Sequence, residues 1–232
     1  MDDLSDLKLN VPRPTPLRPL LGVTVLIVED SRFASEALRL LCLRSGARIR
    51  RADSLAAARR HLTTYRPTVA IIDLGLPDGS GLELIRTLDH ANQRPPIVLA
   101  TSGNHREESE FASIEVGADG FLPKPIESLA VFQQEILKHI PEEDRPRAAP
   151  AASSDTVTPD SFAMDEDLAH VAKLMDDEGV PASFISGFLK GVARTGHDDD
   201  LLREAEAYEM SPEARERLRR LIAKRLEHKQ AV

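Results

Sequence analysis

The chain has 232 residues, 41% of them hydrophobic and 29% charged, with a formal net charge of -8 at pH 7. This length suits one large or two ordinary domains, and the apolar content is enough for folded cores, which excludes a disordered chain. The negative charge argues against a surface that binds nucleic acid or anionic membrane as a whole, although a local basic patch is compatible with it. No apolar run approaches the roughly 20 residues of a membrane-spanning helix, so we expect a cytoplasmic protein with no membrane partner.

The first 21 residues, MDDLSDLKLNVPRPTPLRPLL, begin acidic and become proline-rich. They lack the basic and apolar regions of a secretory signal, so we predict a flexible N-terminal arm over residues 1–21. The single cysteine, Cys42, falls in the apolar pattern SEALRLLCLRSGA. A packed core thiol is the interpretation that this pattern favours, and no disulfide framework is expected.

Residues 22–141 alternate short runs rich in β-branched residues with amphipathic helical runs. Examples in chain order are VTVLIV, RFASEALRLLCLRSG, ARIRRAD, SLAAARRHLTTY and TVAIID. About five such strand and helix pairs follow one another, which predicts an α/β domain with a doubly wound parallel sheet.

A change of composition follows Pro141. The stretch PEEDRPRAAPAASSDTVTP is rich in Pro, Ala, Ser and charge, so we predict a linker over residues 142–160. Residues 161–232 carry three apolar stripes at helical spacing and no strand pattern, which predicts a small all-α region. The stripes begin at Leu168, Phe184 and Ala214.

Acidic residues follow two of the predicted strands. Glu29 and Asp30 come directly after VTVLIV, and Asp73 ends the run VAIID. If the two strands are neighbours in a parallel sheet, the three acids meet at its carboxyl edge, where ligands of such sheets bind. Like charges repel one another unless a cation compensates them, and carboxylate oxygens suit a hard divalent ion. The sequence therefore predicts a Mg²⁺ site at this edge.

Further polar residues end the last two strands. Lys124 follows the fifth strand, where its ammonium could attract phosphate oxygens, and Thr101 and Ser102 end the fourth and offer a hydroxyl. Acids, a metal, an ammonium and a hydroxyl together suit a carboxylate nucleophile that accepts a phosphoryl group. An aspartyl-phosphate phosphatase is disfavoured, since such enzymes begin with Asp-x-Asp after the first strand and this chain does not.

These motifs resemble the receiver domains of two-component response regulators over about residues 22–141. The resemblance rests on VLIVEDS, on IIDLGLPDGSG with proline four and glycine eight positions after Asp73, and on GADGFLPKP. It implies a flavodoxin-like, five-stranded fold with Asp73 as phosphoacceptor and Lys124 paired with the phosphoryl group. Asp30 would then bind Mg²⁺ directly, Glu29 largely through water, and Gly75 through its backbone carbonyl.

The family's switch hydroxyl can be placed in two ways. Counting forward from Pro96 gives Thr101, whereas counting back from Gly117 or Lys124 gives Ser102. We favour Ser102, because the extra length then falls in the loop HANQRPP, and we keep Thr101 as the alternative. Phe121, three residues before Lys124, holds the family's switch-aromatic position, and an ordinary packed strand aromatic is an equal interpretation.

The resemblance implies a signalling switch and not an output enzyme, although the receiver could catalyse its own phosphorylation and dephosphorylation. Its phosphoryl donor would be a sensor histidine kinase or a histidine phosphotransfer protein. The family's output face, near residues 105–140, would meet a protein partner or the C-terminal region. We expect an interaction or dimerisation output, with a homodimer as one candidate. The alternative is a DNA-binding transcriptional regulator acting through the C-terminal helices, which no helix-turn-helix pattern supports.

Three positions in the C-terminal half have neighbours that could indicate phosphorelay or metal chemistry. SGFLKGVARTG is similar to the Leu-Lys-Gly neighbourhood of histidine phosphotransfer domains, but Gly187 holds the histidine position, so we expect no phosphotransfer there. His197 precedes three aspartates that are better explained as a helix N-terminus. His170 is interpreted as a partly buried helix residue.

Overall fold

The computed structural model describes residues 13–92, 94–103, 106–126, 128–147, 155–177 and 179–230. The seven strands found in these residues are β1 (Thr24–Val28), β2 (Arg48–Ala52), β3 (Val69–Asp73), β4 (Gly75–Leu76), β5 (Gly79–Ser80), β6 (Ile97–Ser102) and β7 (Gly120–Pro123). Five of them form one parallel sheet in the order β2-β1-β3-β6-β7, and β4 and β5 form a short antiparallel pair. The expected doubly wound α/β fold is confirmed.

Nine α-helices lie in the described residues. Those of the N-terminal domain are α1 (Arg32–Ser45), α2 (Leu55–Thr64), α3 (Gly81–Asp89), α4 (Arg106–Glu115) and α5 (Leu129–Leu137). Those of the C-terminal region are α6 (Ser161–Leu174), α7 (Ala182–Thr195), α8 (Asp199–Ala207) and α9 (Pro212–Gln230). No helix in this part of the chain has both the length and the apolar character to cross a bilayer.

Local sequence explains where these helices begin and end. Ser31, Ser54 and Ser128 each accept a hydrogen bond from the backbone N–H three residues on, so that serine side chains cap α1, α2 and α5. Helix α1 ends at Gly46, whose φ of 85° is left-handed and therefore favours glycine. In the C-terminal region, Asp198 caps α8, as the run of aspartates led us to expect.

The sheet is covered on both faces. Helices α1 and α5 pack on one face and include Leu41, Cys42 and Phe132, all fully buried. Helices α2 and α3 pack on the other, with α4 beside α3. Cys42 is a free thiol within the first of these cores, as its pattern predicts. Burial on both faces explains why β3 reads as a continuous apolar run.

A third core joins the four C-terminal helices. Leu168 of α6, Ile185 of α7 and Leu218 of α9 are buried in it, in agreement with the three predicted stripes. Phe33, from the first turn of α1, is buried in the same core. The two halves of the chain therefore share apolar packing.

The predicted N-terminal arm and the predicted linker both place residues in the core of the N-terminal domain. Residues 1–12 of the predicted arm and 148–154 of the predicted linker lie outside the described residues. Within the described part, Leu20 is 0% exposed and its N–H donates to the carbonyl of Ser45, and Val157 is 3% exposed in the same core. Thr156 also forms a β-bridge with Ser128. Single apolar residues in polar, proline-rich stretches thus pack on the domain, which composition alone does not reveal.

Candidate functional site

Three carboxylates meet at the carboxyl edge of the sheet. Glu29 and Asp30 follow β1, Asp73 ends β3, and the two strands are paired neighbours. One oxygen from each of the three acids lies within 4.8 Å of the other two. Glu29 and Asp73 are buried, and Asp30 is half-buried. The arrangement predicted from two separate motifs is therefore present in the fold.

Lys124 projects from the same edge because β7 ends at Pro123. Its Nζ lies 2.6 Å from Glu29 Oε2 and 2.9 Å from Asp73 Oδ2, and its side chain is almost completely buried. Buried ion pairs of this kind stabilise the fold only while both partners are present, since removal of one leaves an uncompensated charge. Lys124 thus links the outermost strand β7 to acids on β1 and β3.

The protonation of the cluster follows from burial and from mutual charge. Burial raises the pKa of Glu29 to about 7, because the opposing attraction of Lys124 is smaller and Asp73 adds repulsion. Burial also raises the pKa of Asp30, with further repulsion from Glu29 and Asp73. For Lys124, burial alone would lower the pKa, but attraction to Asp73 and Glu29 raises it. One ammonium faces three acids, so when all three are ionised their charge exceeds what Lys124 can balance.

The cluster has the chemistry of a metal site. Three carboxylates with unbalanced charge supply the oxygen ligands that hard divalent cations prefer. Gly75, predicted to contribute its carbonyl, lines the same cavity as Asp73 and Asp30. The residues present therefore fit a divalent cation bound between β1 and the segment after β3.

The segment after Asp73 explains the motif residues that follow it. The N–H of Gly81 donates to the carbonyl of Leu74 at 3.1 Å, and a Cβ at position 81 would overlap the carbonyl oxygen of Asp73. Only glycine permits this approach. The Asp78 carboxylate accepts from the N–H groups of Leu55 and Ala56 at the start of α2. The loop is thus held in place at both ends beside Asp73.

The two candidate hydroxyls occupy different environments. Ser102 lines the cavity that contains Asp73 and Lys124. Thr101 is paired in the sheet with Asp73 and Leu122, is fully buried, and its Oγ1 has no hydrogen-bond partner in the described residues. The geometry favours Ser102.

Phe121 is packed inward in this structure. It lies on β7, is 6% exposed, and belongs to the core on the α2 and α3 side of the sheet. Its Cα is in register with Ala100 of β6. The position is that of a packed strand aromatic, one of the two interpretations drawn from the sequence.

Helix α7 covers the acidic edge. A cavity of about 220 Å³ is lined by the site residues Asp30, Asp73, Ser102 and Lys124 and, from α7, by Ser183, Phe184, Gly187, Phe188 and Gly191. A Cβ at Gly103 would lie 3.6 Å from the Cα of Gly191. The C-terminal region therefore forms one wall of the site.

Helix α6 contributes a residue that sequence reasoning missed. The Asp167 carboxylate accepts hydrogen bonds from Ser31 Oγ at 2.7 Å and from the N–H groups of Arg32 and Phe33 at 2.8 and 3.0 Å. Burial raises the pKa of Asp167, and these hydrogen bonds oppose the rise. Asp167 stands in the acidic run DED, which is typical of a solvated helix face, so no local signal marks it.

The histidines weighed from the sequence lie apart from the cluster. His170 is exposed on α6, so the prediction of a partly buried position is wrong, and its ring lies 6.3 Å from that of Phe188. His197 lies between α7 and α8 with a φ of 52°. Neither belongs to the one group of three or more metal-ligating side chains in the described residues, which is Glu29, Asp30 and Asp73.

Comparison with known proteins finds a family model that matches the N-terminal domain. Residues 25–136 match the family model described as response regulator receiver domain. The KDP operon transcriptional regulatory protein KdpE of Escherichia coli is 40% identical over 101 residues, 44% of each chain. The virulence transcriptional regulatory protein PhoP of Salmonella typhimurium is 30% identical over 116 residues, 49% of this chain and 51% of PhoP. The matches thus span about half the length of these curated relatives.

Solved structures with similarity to this chain include two receiver proteins. The signal receiver domain of a signal transduction histidine kinase from Syntrophus aciditrophicus is 24% identical with a TM-score of 0.47, over 57% of this chain and 98% of that one. The chemotaxis response regulator CheY4 of Vibrio cholerae is 21% identical with a TM-score of 0.47, over 51% and 98%. The matched family segment ends before the C-terminal helices begin.

Proposed function

Residues 25–136 belong to the response regulator receiver domain family, and on that premise we propose that this protein is a two-component response regulator phosphorylated on Asp73. The observation that supports the proposal best is the position of Lys124 Nζ, 2.9 Å from Asp73 Oδ2 at the edge where Glu29 and Asp30 also lie. A carboxylate oxygen beside a buried ammonium and two further acids is the arrangement that phosphoryl acceptance requires.

The chemistry is a direct displacement at phosphorus. A carboxylate oxygen of Asp73 forms the new O–P bond while the bond from phosphorus to the donor atom breaks, and the donor leaves with the electron pair of that bond. Lys124 attracts oxygens of the transferred group, and Ser102 donates a hydrogen bond to one of them. A Mg²⁺ ion held by Asp30, Asp73, the Gly75 carbonyl and, through water, Glu29 would supply further neutralisation of the phosphoryl charge.

The donor that fits this site is a phosphohistidine of a sensor histidine kinase or of a histidine phosphotransfer protein. The switch has no separate output enzyme in this proposal, and the receiver itself performs the transfer and its reversal by hydrolysis. Hydrolysis would return Asp73 to the free carboxylate, to which Lys124 is paired in this structure.

The output is a protein contact made by the face of α4, β7 and α5. This face carries three exposed apolar side chains, Phe111 at 71%, Ile114 at 47% and Val131 at 52% exposure. Phe111 and Ile114 are about one turn apart on α4, and exposed apolar residues grouped in this way are typical of interaction surfaces. The partner is a second copy of the chain or another signalling protein, and the C-terminal helices contact a different part of the domain.

DNA binding through α9 is disfavoured by the ion pairs of its arginines. Arg217 pairs with Glu204, Arg219 with Asp176, Arg220 with Glu216 and Arg225 with Asp198. Arginines already paired with carboxylates within the bundle are poorly placed to neutralise phosphates of a duplex. Four arginines of α9 are therefore already paired with carboxylates of the C-terminal region.

Phosphorylation of the full chain by phosphoramidate in Mg²⁺ tests the proposal. We expect one added phosphoryl group that is labile to hydroxylamine, and none in the Asp73→Ala variant, as measured by intact-protein mass spectrometry. Equal labelling of Asp73→Ala would show that the acceptor is another residue.

A further inference from the structure

The C-terminal helices lie on the acidic edge of the sheet. Helices α6 and α7 pack against α1, and α7 contacts β4 directly after Asp73. The sequence had suggested that these helices or a partner would meet the face of α4, β7 and α5, which keeps its apolar side chains exposed instead. The C-terminal helices lie at the acidic edge because both of their main contacts, one polar and one apolar, are with the start of α1.

The polar anchor is Asp167. This residue is only 2% exposed. Its carboxylate accepts hydrogen bonds from Ser31 Oγ and from the N–H groups of Arg32 and Phe33. These N–H groups belong to the first turn of α1 and have no partner within that helix. A carboxylate there is also favoured by the helix dipole. The exposed pair of Arg32 and Glu166, at 2.8 Å, lies beside it.

The apolar part of the contact is Phe33. Its side chain leaves the N-terminal domain and is buried in the core of α6–α9, together with Leu168, Leu189 and Val192. Burial of the Phe33 side chain removes a large apolar area from water and so stabilises the contact. Phe33 and Asp167 thus hold the bundle on the start of α1 by two independent kinds of interaction.

Helix α7 approaches the site closely because two of its residues lack side chains. Gly187 and Gly191 are one turn apart and both line the cavity shared with Asp73. The volume of about 220 Å³ corresponds to roughly seven waters at 30 Å³ each, which suits a phosphoryl group, an ion and a few waters. It cannot hold the histidine-bearing helix of a donor protein, whose diameter is about 10 Å.

We propose that α6 and α7 form an internal cover, which occupies in cis the surface on which a phosphodonor protein must dock, so that such a donor has to displace the cover to reach Asp73. This inference rests on the proposed function. A wider cleft of about 1570 Å³ between α2 and α6 shares Glu29 and Asp30 with the cavity around Asp73, and small phosphodonors would enter by this side. The cover therefore selects donors by size.

The test measures access to the site without using phosphate. The full chain carries Cys42→Ala and Gly103→Cys, a position where a new Cβ makes only ordinary contacts, with Arg194 and Gly191 at 3.6 Å. A maleimide attached to a protein-sized polymer should react at position 103 about tenfold or more slower than with a control thiol at Ala223→Cys, exposed on α9.

Removal of the anchor should open the site. When Asp167→Ala is added to the Gly103→Cys chain, the polymer-linked maleimide should react at position 103 at a rate within about threefold of that of the control thiol. Glu166→Ala, one residue away, removes only an exposed ion pair and should leave the slow rate unchanged. Far-UV circular dichroism checks that the helices persist. The proposed cover would be contradicted if the maleimide reacted at equal rates at positions 103 and 223 with Asp167 present. It would also be contradicted if Asp167→Ala left the rate at position 103 unchanged.

A second measurement needs no destabilising variant. In a Cys42→Ala background, Gly103→Cys combined with Gly191→Cys should form an intramolecular disulfide on mild oxidation, since a Cβ at position 103 would lie 3.6 Å from the Cα of Gly191. Failure of the two thiols to join would contradict the cover. Phosphoramidate labelling separates the two proposals: a protected thiol without labelling of Asp73 refutes only the phosphoacceptor role, and labelling with a freely reactive thiol refutes only the cover.

Discussion

Lys124 Nζ lies 2.9 Å from Asp73 Oδ2, although the two residues are 51 positions apart in the chain. The same ammonium lies 2.6 Å from Glu29 Oε2, so one side chain connects three strands of the sheet. The contact is buried, and its energy therefore depends on the charge balance of the whole cluster. Stability and phosphoryl chemistry are consequently coupled at this point.

Removal of the Lys124 charge should destabilise the domain. Lys124→Met leaves Glu29, Asp30 and Asp73 without their internal cation, and we expect a loss of about 3 kcal/mol in the free energy of unfolding, measured by urea denaturation. Millimolar Mg²⁺ should restore part of this loss, because it supplies the missing positive charge. Lys138→Met, which removes an exposed pair with Glu135, should cost less than about 1 kcal/mol. Equal losses in the two variants would contradict the buried-cluster account.

Mg²⁺ affinity should depend on pH through Glu29. Its pKa is raised to about 7 and the pKa of Asp30 is raised as well, so at lower pH the metal must displace protons from these carboxyls, and affinity should increase as pH rises. Isothermal titration calorimetry over roughly pH 5.5 to 8 would measure this and would record proton release on the acid side. Glu29→Gln should flatten the profile around pH 7. A wild-type affinity that falls as pH rises would have the wrong sign for this explanation.

Removal of the two hydroxyls at the end of β6 should have different effects on the binding of a phosphoryl mimic. Ser102→Ala should weaken binding of beryllofluoride, a phosphoryl mimic, by about tenfold, since a hydrogen bond to a charged group contributes about 1.5 kcal/mol. Thr101→Val replaces a buried hydroxyl that has no partner in the described residues, so it should leave binding unchanged and stability equal or higher. Fluorine NMR measures the bound mimic. The reverse order of effects would assign the switch to Thr101.

The exposed apolar residues of α4 should mediate association. Phe111→Ser with Ile114→Ser should reduce any dimer formed in Mg²⁺ and beryllofluoride by about tenfold in affinity, because each truncation removes apolar area from the contact. Sedimentation velocity measures the dimer. Met210→Ser, an equally exposed apolar residue outside this face, is the matched control and should have no effect. A dimer unaffected by the α4 changes would move the interface elsewhere.

The full chain should not bind duplex DNA. The arginines of α9 are paired within the helical bundle, so a mobility-shift titration with random-sequence duplex should show no complex at physiological salt. A shift that weakens steeply as salt increases would instead support the DNA-binding alternative.

Much of the N-terminal domain could be predicted because its signals are local. The apolar run before Asp73 specifies a buried strand, Ser31, Ser54 and Ser128 mark helix starts, and acids directly after strands must lie at the carboxyl edge of a parallel sheet. Gly81 could be recognised from spacing, and the structure supplies its reason, a backbone too close to Asp73 for any Cβ.

Other features depended on contacts between distant segments. Leu20 and Val157 stand in polar, proline-rich stretches, and only the folded domain shows the apolar surface that receives them. The choice between Thr101 and Ser102 depends on which strand position faces the site, and neighbouring residues on a strand point to opposite faces.

The sequence by itself determined the order of strands and helices, because the periodicity of apolar residues is a local signal. It also determined the acidic cluster and the lysine opposite it, because the carboxyl ends of parallel strands lie at one edge of the sheet. Only the tertiary structure decided where the C-terminal helices lie. Asp167 resembles any solvated helix acid until it meets the unpartnered N–H groups of α1, which are 135 residues away for Arg32 and 134 for Phe33. The contact is stable because the Asp167 carboxylate is buried together with its hydrogen-bond donors, beside Phe33. This stabilisation requires both surfaces, so the sequence of neither segment reveals it.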